Sequence, residues 1–374
     1  MLSKRHLSAA LAVVLCSVSG VAAAQERKVV CYVSHDFEHA EAVLKAFEAK
    51  TGIKVDAVSD TEDNKTIGLA NRIVAEAGKP KGDVFWNNEA GQAVRLKTRG
   101  LLDPYVSPNA AGIPPEFKDP EGHWTGFAAR ARAVIYNTKL VKDGELPKTV
   151  ADLADPRFKG KVVAAKPLTG STLTHFAALA ARDGLPSTAE FLRRMIANDV
   201  QFEKGNAYVM QLVAAGVKPF GLTDTDDAYV SLERGDPVKY YLPDQGAADG
   251  GVLLFPNTVM ILKGAARPLE ARALVDFLLS PATEEMLAKG RAAQIPLHPG
   301  VPHPAHVQSV AAIKAMPVDW DKTGRLVEEC FQEFESLFAP KAEDSGVRWA
   351  TAGAAVLLIA GFVMARRRRA AAAS

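Results

Sequence analysis

Cysteine is scarce in this chain of 374 residues, which contains only three. Cys16 falls in an apolar N-terminal stretch, while Cys31 and Cys330 lie near the two ends of the remaining sequence. No C-x-x-C or zinc-ligand spacing occurs, so the sequence predicts no zinc site. In an oxidising compartment Cys31 and Cys330 could form a disulfide, and two buried free thiols are the alternative.

The motifs of common exported enzymes are also absent. The sequence has no G-x-S-x-G nucleophile turn, no H-E-x-x-H helix and no glycine-rich phosphate loop. No histidine or nucleophile is clearly paired with an acidic residue. The sequence therefore argues against an enzyme and predicts no catalytic residue.

The body of the chain has no excess of basic residues. The whole sequence contains 45 Lys and Arg against 43 Asp and Glu. The terminal segments, residues 1–24 and 348–374, contain several of the basic residues and none of the acidic ones. The part between them is therefore net acidic, which argues against nucleic acid as a partner.

Long apolar runs occur only at the two ends. Residues 1–24 have a basic start, an apolar stretch and an A-x-A site, which is typical of a secretory signal peptide; Leu15 before Cys16 argues against lipidation. Residues 349–365 are uncharged and precede four arginines, which predicts a transmembrane anchor with a basic cytoplasmic tail at 366–374. A sorting signal removed after export has the same pattern and is the alternative.

Between the ends, short β-type runs alternate with longer helical patterns, such as KVVCYVS (28–34) before an amphipathic stretch at 39–52. This alternation predicts an α/β fold, and a body of about 320 residues predicts two domains. Ligands of such folds bind at the carboxyl ends of the strands. We therefore expect the site at the strand-to-helix turns, which are residues 34–38, 60–64, 86–90, 168–174 and 223–227.

Five stretches resemble the ferric-iron-binding branch of the periplasmic solute-binding proteins of ABC importers. They are AVLKAFEAKTGIKVDAV, GDVFWNNEAGQAVRLKTRGLLDPY, GHWTGFAARARAVIYNTKLV, DLADPRFKGKVVAAKPLTGST and FLLSPATEEMLAKGRAAQIPLHPGV. The resemblance covers residues 28–300. It implies a type II periplasmic-binding-protein fold, in which two lobes close on a solute in a central cleft by a hinge motion.

The resemblance also implies a domain organisation. The chain would cross between the lobes near residues 128–133 and 255–258. Helices at 306–340 are expected on lobe 2, and residues 341–348 would be a linker to the anchor. The expected lobes are residues 25–128 and 258–305 for lobe 1 and residues 129–257 for lobe 2.

The implied function is that of an exported monomer that captures a small solute and delivers it to an ABC permease and its ATPase subunit. It would act in the periplasm, anchored to the cytoplasmic membrane by its C-terminal helix. Iron(III) or another hard cation is the expected solute, and no cofactor is predicted. An anionic or phosphorylated small molecule is the alternative solute. A sensory subunit is disfavoured because the predicted cytoplasmic tail contains only arginine, alanine and serine.

Relatives that bind iron use a histidine after the first strand, a glutamate after the D-V-F strand and two adjacent tyrosines at the start of a helix in the second lobe. All three positions differ in this sequence, so the resemblance implies the fold and the transport role without this ligand set. The positions fall on Asp36 beside His35, on Asn88 beside Glu89, and on Asp226 and Asp227.

Carboxylates nevertheless suit a hard cation. Asp36, Glu89, Asp226 and Asp227 are therefore the candidate metal ligands. For the last two, the alternative is stabilisation of a helix N-terminus through its dipole, with Thr223 or Asp224 as the cap.

Other candidate ligand residues point to an anion. A strand-to-helix turn at Gly170, Ser171 and Thr172 offers backbone N–H groups and hydroxyls, although Ser171 as a simple N-cap is the alternative. Arg130 and Arg132 lie two apart on a predicted strand and so share a face, from which they could pair with an anionic ligand or with the aspartates. The remaining candidates are Thr61 and Glu62, in a polar turn, and Asp224.

Four aromatic residues and one histidine are assigned to packing rather than to the site. We expect Trp86 and Trp124 in the core. The adjacent Tyr240 and Tyr241 lie in a β-type run, so strand packing is favoured over a role as iron ligands. His175 falls inside a helical pattern and is expected to pack.

Overall fold

The computed structural model describes residues 27–34, 37–59, 67–142 and 145–339. The predicted signal peptide, the linker at 341–348, the predicted span at 349–365 and the basic tail lie outside the described residues, as do His35, Asp36, Thr61 and Glu62. In the described part of the chain, no helix is long and apolar enough to cross a membrane.

The first lobe begins with alternating strands and helices, and a long buried strand then leads into the second lobe. The third helix of this lobe ends just before Gly100, whose φ is +67°. The elements are β1 (Lys28–Val33), α1 (Phe37–Thr51), β2 (Lys54–Ser59), α2 (Ile67–Ala75), β3 (Val84–Asn87), α3 (Gly91–Thr98), β4 (Leu102–Asp103) and the long strand β5 (Thr125–Asn137).

The second lobe repeats the alternation, and a second long strand returns the chain to the first lobe. The elements are β6 (Val162–Ala165), α4 (Gly170–Asp183), α5 (Leu185–Ala197), β7 (Gln201–Glu203), α6 (Asn206–Ala214), β8 (Phe220–Asp224), α7 (Thr225–Glu233) and β9 (Val238–Tyr241), followed by the returning strand β10 (Leu254–Leu262), α8 (Pro268–Leu278), α9 (Pro281–Lys289) and α10 (Trp320–Phe338).

The strands form one continuous arrangement in the order β2-β1-β3-β10-β5-β8-β6-β7, with β4 on β10 and β9 on β5. β1 pairs in parallel with β2 and β3, and β6 pairs in parallel with β7 and β8. β5 pairs antiparallel with β10 through its first half and with β8 and β9 through its second half. The two-lobed α/β fold implied by the resemblance is therefore confirmed.

The predicted crossing segments lie within β5 and β10, and both are irregular there. Ala128 in β5 has a φ of +43°, and the register of β10 against β5 shifts between Pro256 and Asn257. Every residue of both strands is buried. Two buried strands, paired with each other, thus join the lobes. This pairing sets the position of the sheet in one lobe relative to the sheet in the other.

The core assignments made from the sequence are confirmed. Trp86 and Trp124 are buried, as is His175 in α4. Tyr240 and Tyr241 lie on β9, and the Tyr241 hydroxyl donates to the carbonyl oxygen of Pro147.

The two cysteines of the body are free and lie in separate hydrophobic clusters. Burial raises the pKa of each thiol to about 12. The structure therefore favours the alternative of two buried thiols over a disulfide, and thiols with such pKa values are unreactive at neutral pH.

α10 is the final described helix, and it contacts both lobes. It packs against α4 and α5 of the second lobe and also against α3 of the first. At the contact with α3, a Cβ at Gly324 would lie 2.3 Å from the Cβ of Val94, so only glycine permits this approach. α10 thus contacts both the second lobe and the first.

Candidate functional site

A cavity of about 350 Å³ lies where the turns after β3, β6, β7 and β8 meet. Asn88 comes from the first lobe and Arg130 from the crossing strand β5, while the remaining wall belongs to the second lobe. This is the carboxyl edge of the strands, where sequence reasoning placed the site. The other polar or charged residues of the wall are Thr169, Ser171, Thr172, Lys204, Asn206, Tyr208, Gln211, Asp224, Asp226 and Asp227.

Three carboxylates converge at the start of α7. Oxygen atoms of Asp224, Asp226 and Asp227 all lie within 4.8 Å of one another. Asp224 occupies the N-cap position of α7 in extended conformation, but its side chain does not cap the helix. The Thr223 hydroxyl donates to Asp227 at 3.3 Å. Helix capping alone therefore does not account for the cluster.

Asp224 is held by a buried network instead. Arg132 is fully buried, and its guanidinium donates to the Asp224 carboxylate. The Ser171 hydroxyl donates to Asp224 Oδ2 at 2.5 Å, and Asn206 Nδ2 donates to the same oxygen at 2.8 Å. Asp224 thus fixes the turns that begin α4, α6 and α7 relative to one another, while Asp226 and Asp227 line the cavity.

Arg130 lies at the cavity wall, whereas Arg132 lies behind it. Arg130 donates to the carbonyl oxygen of Asn88 and stacks on the Phe255 ring, with its guanidinium carbon 4.9 Å from the ring centroid. Its Nε approaches Asp226 at 3.6 Å, beyond hydrogen-bonding distance, and has no hydrogen-bond partner among the described residues. The expectation that the arginines pair with the aspartates is met in this structure.

The N-terminus of α4 opens into the cavity. Thr169 is the N-cap residue, and its side chain caps no backbone N–H. Gly170, Ser171 and Thr172 follow in the first turn and line the cavity. The first N–H groups of a helix have no partner inside it, so this turn offers a cluster of donors. Gly170 has a φ of +55° and open space where a Cβ would lie, so a side chain here would fill the cavity.

The N-terminus of α6 opens into the same cavity, and sequence reasoning missed it. Gly205 is its N-cap residue and provides no side-chain cap. Lys204 precedes it and lies over the Tyr208 ring, with 4.5 Å between Nζ and the ring centroid. The preceding strand β7 has only three residues, and apolar and polar residues do not alternate in it clearly enough to predict a strand. Only the polar run KGN in the sequence indicated a turn here.

Glu89 does not reach the cavity. It is 1% exposed, and its carboxylate accepts hydrogen bonds from the backbone N–H groups of Gly91 and Gln92 and from the Thr174 hydroxyl at 2.6 Å. Burial raises the pKa of this carboxyl, and these hydrogen bonds oppose the shift. The side chain thus caps α3 and ties it to α4 of the other lobe.

A second cavity of about 370 Å³ adjoins the first and shares Asp226, Asp227, Ala207 and Gln211 with it. Its other wall includes His39, Glu41 and Arg291 of the first lobe. Asp226 and Asp227 therefore lie on the boundary between two connected spaces, both bordered by the two lobes.

The model of the bacterial extracellular solute-binding protein family matches residues 81–323. The chain belongs to this family. This solute-binding protein is accordingly not an enzyme, and its homologues are periplasmic binding proteins. It is 26% identical over 329 residues to iron uptake protein A2 of Synechocystis sp., which covers 85% of the chain and 92% of that relative.

One further relative and two solved structures are also similar to this chain. The solute-binding protein is 27% identical to the Fe(3+)-binding periplasmic protein of Serratia marcescens, over 72% of the chain and 79% of the relative. The structure of iron-bound HitA from Pseudomonas aeruginosa superposes with a TM-score of 0.75 at 25% identity, over 84% of the chain and all of HitA. AfuA from Actinobacillus pleuropneumoniae, solved with fructose-6-phosphate, has a TM-score of 0.72 at 24% identity, over 83% of the chain and 99% of AfuA.

Proposed function

We propose that this protein captures a small solute outside the cytoplasm and delivers it to an ABC permease. The observation that carries this proposal is the pair Asp226 and Asp227, which lines a cavity between two lobes joined by crossing strands. Such lobes can close on a solute by a hinge motion. The predicted anchor at 349–365 would raise the concentration of the protein near its permease.

Iron(III) is the first solute to test. The curated relatives named above are iron proteins, and carboxylate oxygens suit a hard cation. Of the predicted metal ligands, Asp226 and Asp227 share one cluster. Glu89 lies outside that cluster, and its oxygens are already hydrogen-bonded. An iron site here would therefore use aspartates at the position where the resemblance implies tyrosines.

An anionic solute is the second candidate, and a separate observation favours it. The uncapped N-termini of α4 and α6 and the Lys204 side chain all lie at the same cavity. Helix N-termini of this kind bind phosphate and carboxylate groups.

Native mass spectrometry combined with metal analysis tests the proposal. The full chain is incubated with ferric citrate and desalted, and Asp226→Asn and Asp227→Asn are compared with Asp199→Asn, a change at an exposed aspartate of the second lobe. If iron is the solute, we expect one ion per chain, reduced in the first two variants only. A bound organic mass without iron would overturn the iron assignment and keep the capture role. A chain that retains no solute and does not stimulate the ATPase of its permease would overturn the capture role.

A further inference from the structure

A third cavity, of about 180 Å³, lies between α4 and α5 of the second lobe. We propose that this α4–α5 cavity is a second binding site, which takes a small hydroxylated aromatic carboxylic acid. The residues that line it are all different from those that line the cavity at the carboxyl ends of the strands. The proposal is therefore independent of the capture role and of the solute that is captured.

One face of α4 and one face of α5 form two walls of this cavity. His175, Leu179 and Arg182 are spaced four and three residues apart, so they share a face of α4. Phe191 and Arg194, three residues apart, share a face of α5. Leu179 and Phe191 are buried. The two helices thus present apolar surface between polar groups.

The third wall is formed by segments that are distant in sequence. Gly251 has a φ of +85°, and a Cβ there would lie 2.7 Å from backbone atoms of Ala315 and Met316, so any side chain would push the two segments apart. The Met316 N–H donates to the carbonyl oxygen of Val252 at 2.8 Å. The Met316 sulfur accepts from Arg182 Nη1 at 3.2 Å. This wall is therefore held in place by several contacts.

His175 supplies a polar group at the buried end. It is 2% exposed, and its Nδ1 has no hydrogen-bond partner among the described residues. Burial and the charges of Arg132 and Arg182 lower the pKa of His175 well below its usual range, so the ring is neutral. A neutral imidazole has one donor and one acceptor nitrogen, and a hydroxyl can both donate and accept. A ligand hydroxyl would therefore satisfy Nδ1 in either tautomer and remove the cost of a buried polar atom without a partner.

Arg194 supplies a positive charge at the exposed end. Its guanidinium carbon lies 5.7 Å from the centroid of the Phe191 ring, and it has no ion pair in the part of the chain that the structure describes. Arg182 is already bound to both carboxylate oxygens of Asp183, at 2.8 and 2.7 Å. Asp183 and, more weakly, Asp244 raise the pKa of Arg182. The acids of the wall thus offset Arg182 and leave Arg194 for the carboxylate of a ligand.

The size of the cavity fits one substituted aromatic ring. A protein cavity of about 150 Å³ holds benzene. A volume of about 180 Å³ therefore accommodates a ring with two small substituents. The ring would pack against Leu179 and Phe191, with its hydroxyl at His175 and its carboxylate at Arg194.

Isothermal titration calorimetry of the full chain tests the proposal with 4-hydroxybenzoate, with benzoate, which lacks the hydroxyl, and with phenol, which lacks the carboxylate. We expect 4-hydroxybenzoate to bind about 10-fold more tightly than either of the others. Arg194→Gln should weaken its binding about 10-fold and leave that of phenol unchanged. Arg193→Gln is the matched control and should change neither, because Arg193 is the preceding residue of α5 but pairs with Glu333.

His175→Phe tests the buried end. It removes the ring nitrogens at similar volume, so 4-hydroxybenzoate should then bind no more tightly than benzoate. Thermal unfolding checks that this variant folds, and Arg194→Gln, at an exposed position, tests the proposal if it does not.

The proposal fails if benzoate or phenol equals 4-hydroxybenzoate in affinity for the parent chain, because His175 or Arg194 would then contribute nothing. It also fails if binding survives Arg194→Gln unchanged, which would place the acid elsewhere, or if none of the three compounds binds at millimolar concentration. None of these outcomes bears on the capture role, which the ferric citrate experiment tests separately.

Discussion

The turn after β3 in the first lobe and the turn after β8 in the second lobe occupy similar places in the fold, but their carboxylates have different surroundings. Each ends a buried strand, starts a short helix and carries carboxylates. In the first lobe Glu89 turns inward and caps α3, with hydrogen bonds from Gly91 and Gln92. In the second lobe Asp226 and Asp227 stay at the cavity wall.

The difference depends on which side chain satisfies the local donors. Glu89 is long enough to reach the N–H groups of its own helix and the hydroxyl of Thr174. Asp224, the N-cap residue of α7, is held by Arg132 instead, and its side chain does not cap the helix. In the second lobe, Arg132 holds Asp224 behind the cavity wall. Asp226 and Asp227, the next carboxylates along the chain, line the cavity instead.

The largest effect on stability is expected at Asp224. Asp224→Ala leaves Arg132 buried without its carboxylate, and breaking a buried ion pair in this way costs about 3–5 kcal/mol of the free energy of unfolding. Urea unfolding of the variant measures this loss. Asp199→Asn, at an exposed site with positive φ that asparagine tolerates, should stay within about 0.5 kcal/mol of the parent. A loss below about 1 kcal/mol in Asp224→Ala would contradict a structural role for the pair.

A smaller loss of about 2–3 kcal/mol is expected for Glu89→Ala, because the start of α3 and the Thr174 hydroxyl lose their acceptor. Chemical denaturation again measures the effect. Solute affinity should not change in the folded fraction, since Glu89 lies outside the cavity. A variant of normal stability with weakened binding would instead make Glu89 a ligand and remove the contrast between the two turns.

Asp227→Asn should lower the free energy of unfolding by less than about 1 kcal/mol, the scale of an acidic side chain near a helix N-terminus. The Asp227 carboxylate accepts a hydrogen bond from the Thr223 hydroxyl, and an asparagine oxygen would accept the same bond. Stability is measured by thermal unfolding beside the iron-loading experiment. Should the variant unfold as readily as Asp224→Ala, the distinction between structural and solute-facing aspartates would fail.

The smallest effect concerns pH. Because burial raises the pKa of Glu89, its ionised form is disfavoured in the folded protein. At low pH the Glu89 carboxyl is protonated in both states, and this penalty is absent. The penalty grows as the pH rises from the pKa of this carboxyl in the unfolded protein to its pKa in the folded protein. The free energy of unfolding of the parent, relative to that of Glu89→Gln, should therefore fall as the pH rises from 4 into the neutral range. Parallel profiles for the two proteins would show that Glu89 does not titrate differently on folding.

Much of this arrangement could be predicted from the sequence. Strand-to-helix turns at 86–90, 168–174 and 223–227 supplied residues of the cavity wall, because the carboxyl ends of strands share an edge of the sheet. The ligand roles of Asp226, Asp227 and Ser171 remain predictions.

Side-chain direction could not be predicted. Arg130 and Arg132 share a strand face by spacing, yet β5 passes from one lobe to the other between them, so Arg130 meets the cavity and Arg132 pairs with Asp224 behind it. The contribution of Lys204 and α6 was missed because β7 is too short to show a strand pattern. Glu89 was misplaced because spacing does not reveal that a carboxylate will fold back on its own helix.

The hydrogen bond between Glu89 and Thr174 also bears on how the cleft opens. It ties α3 of the first lobe to α4 of the second, and α10 packs on both helices, with Gly324 in close contact with Val94. These three helices therefore form a packed joint that belongs to both lobes. We expect the entrance to widen away from this joint, on the side of His39 and Arg291, so that a solute would enter past Asp226 and Asp227 before it reached the helix N-termini beyond them.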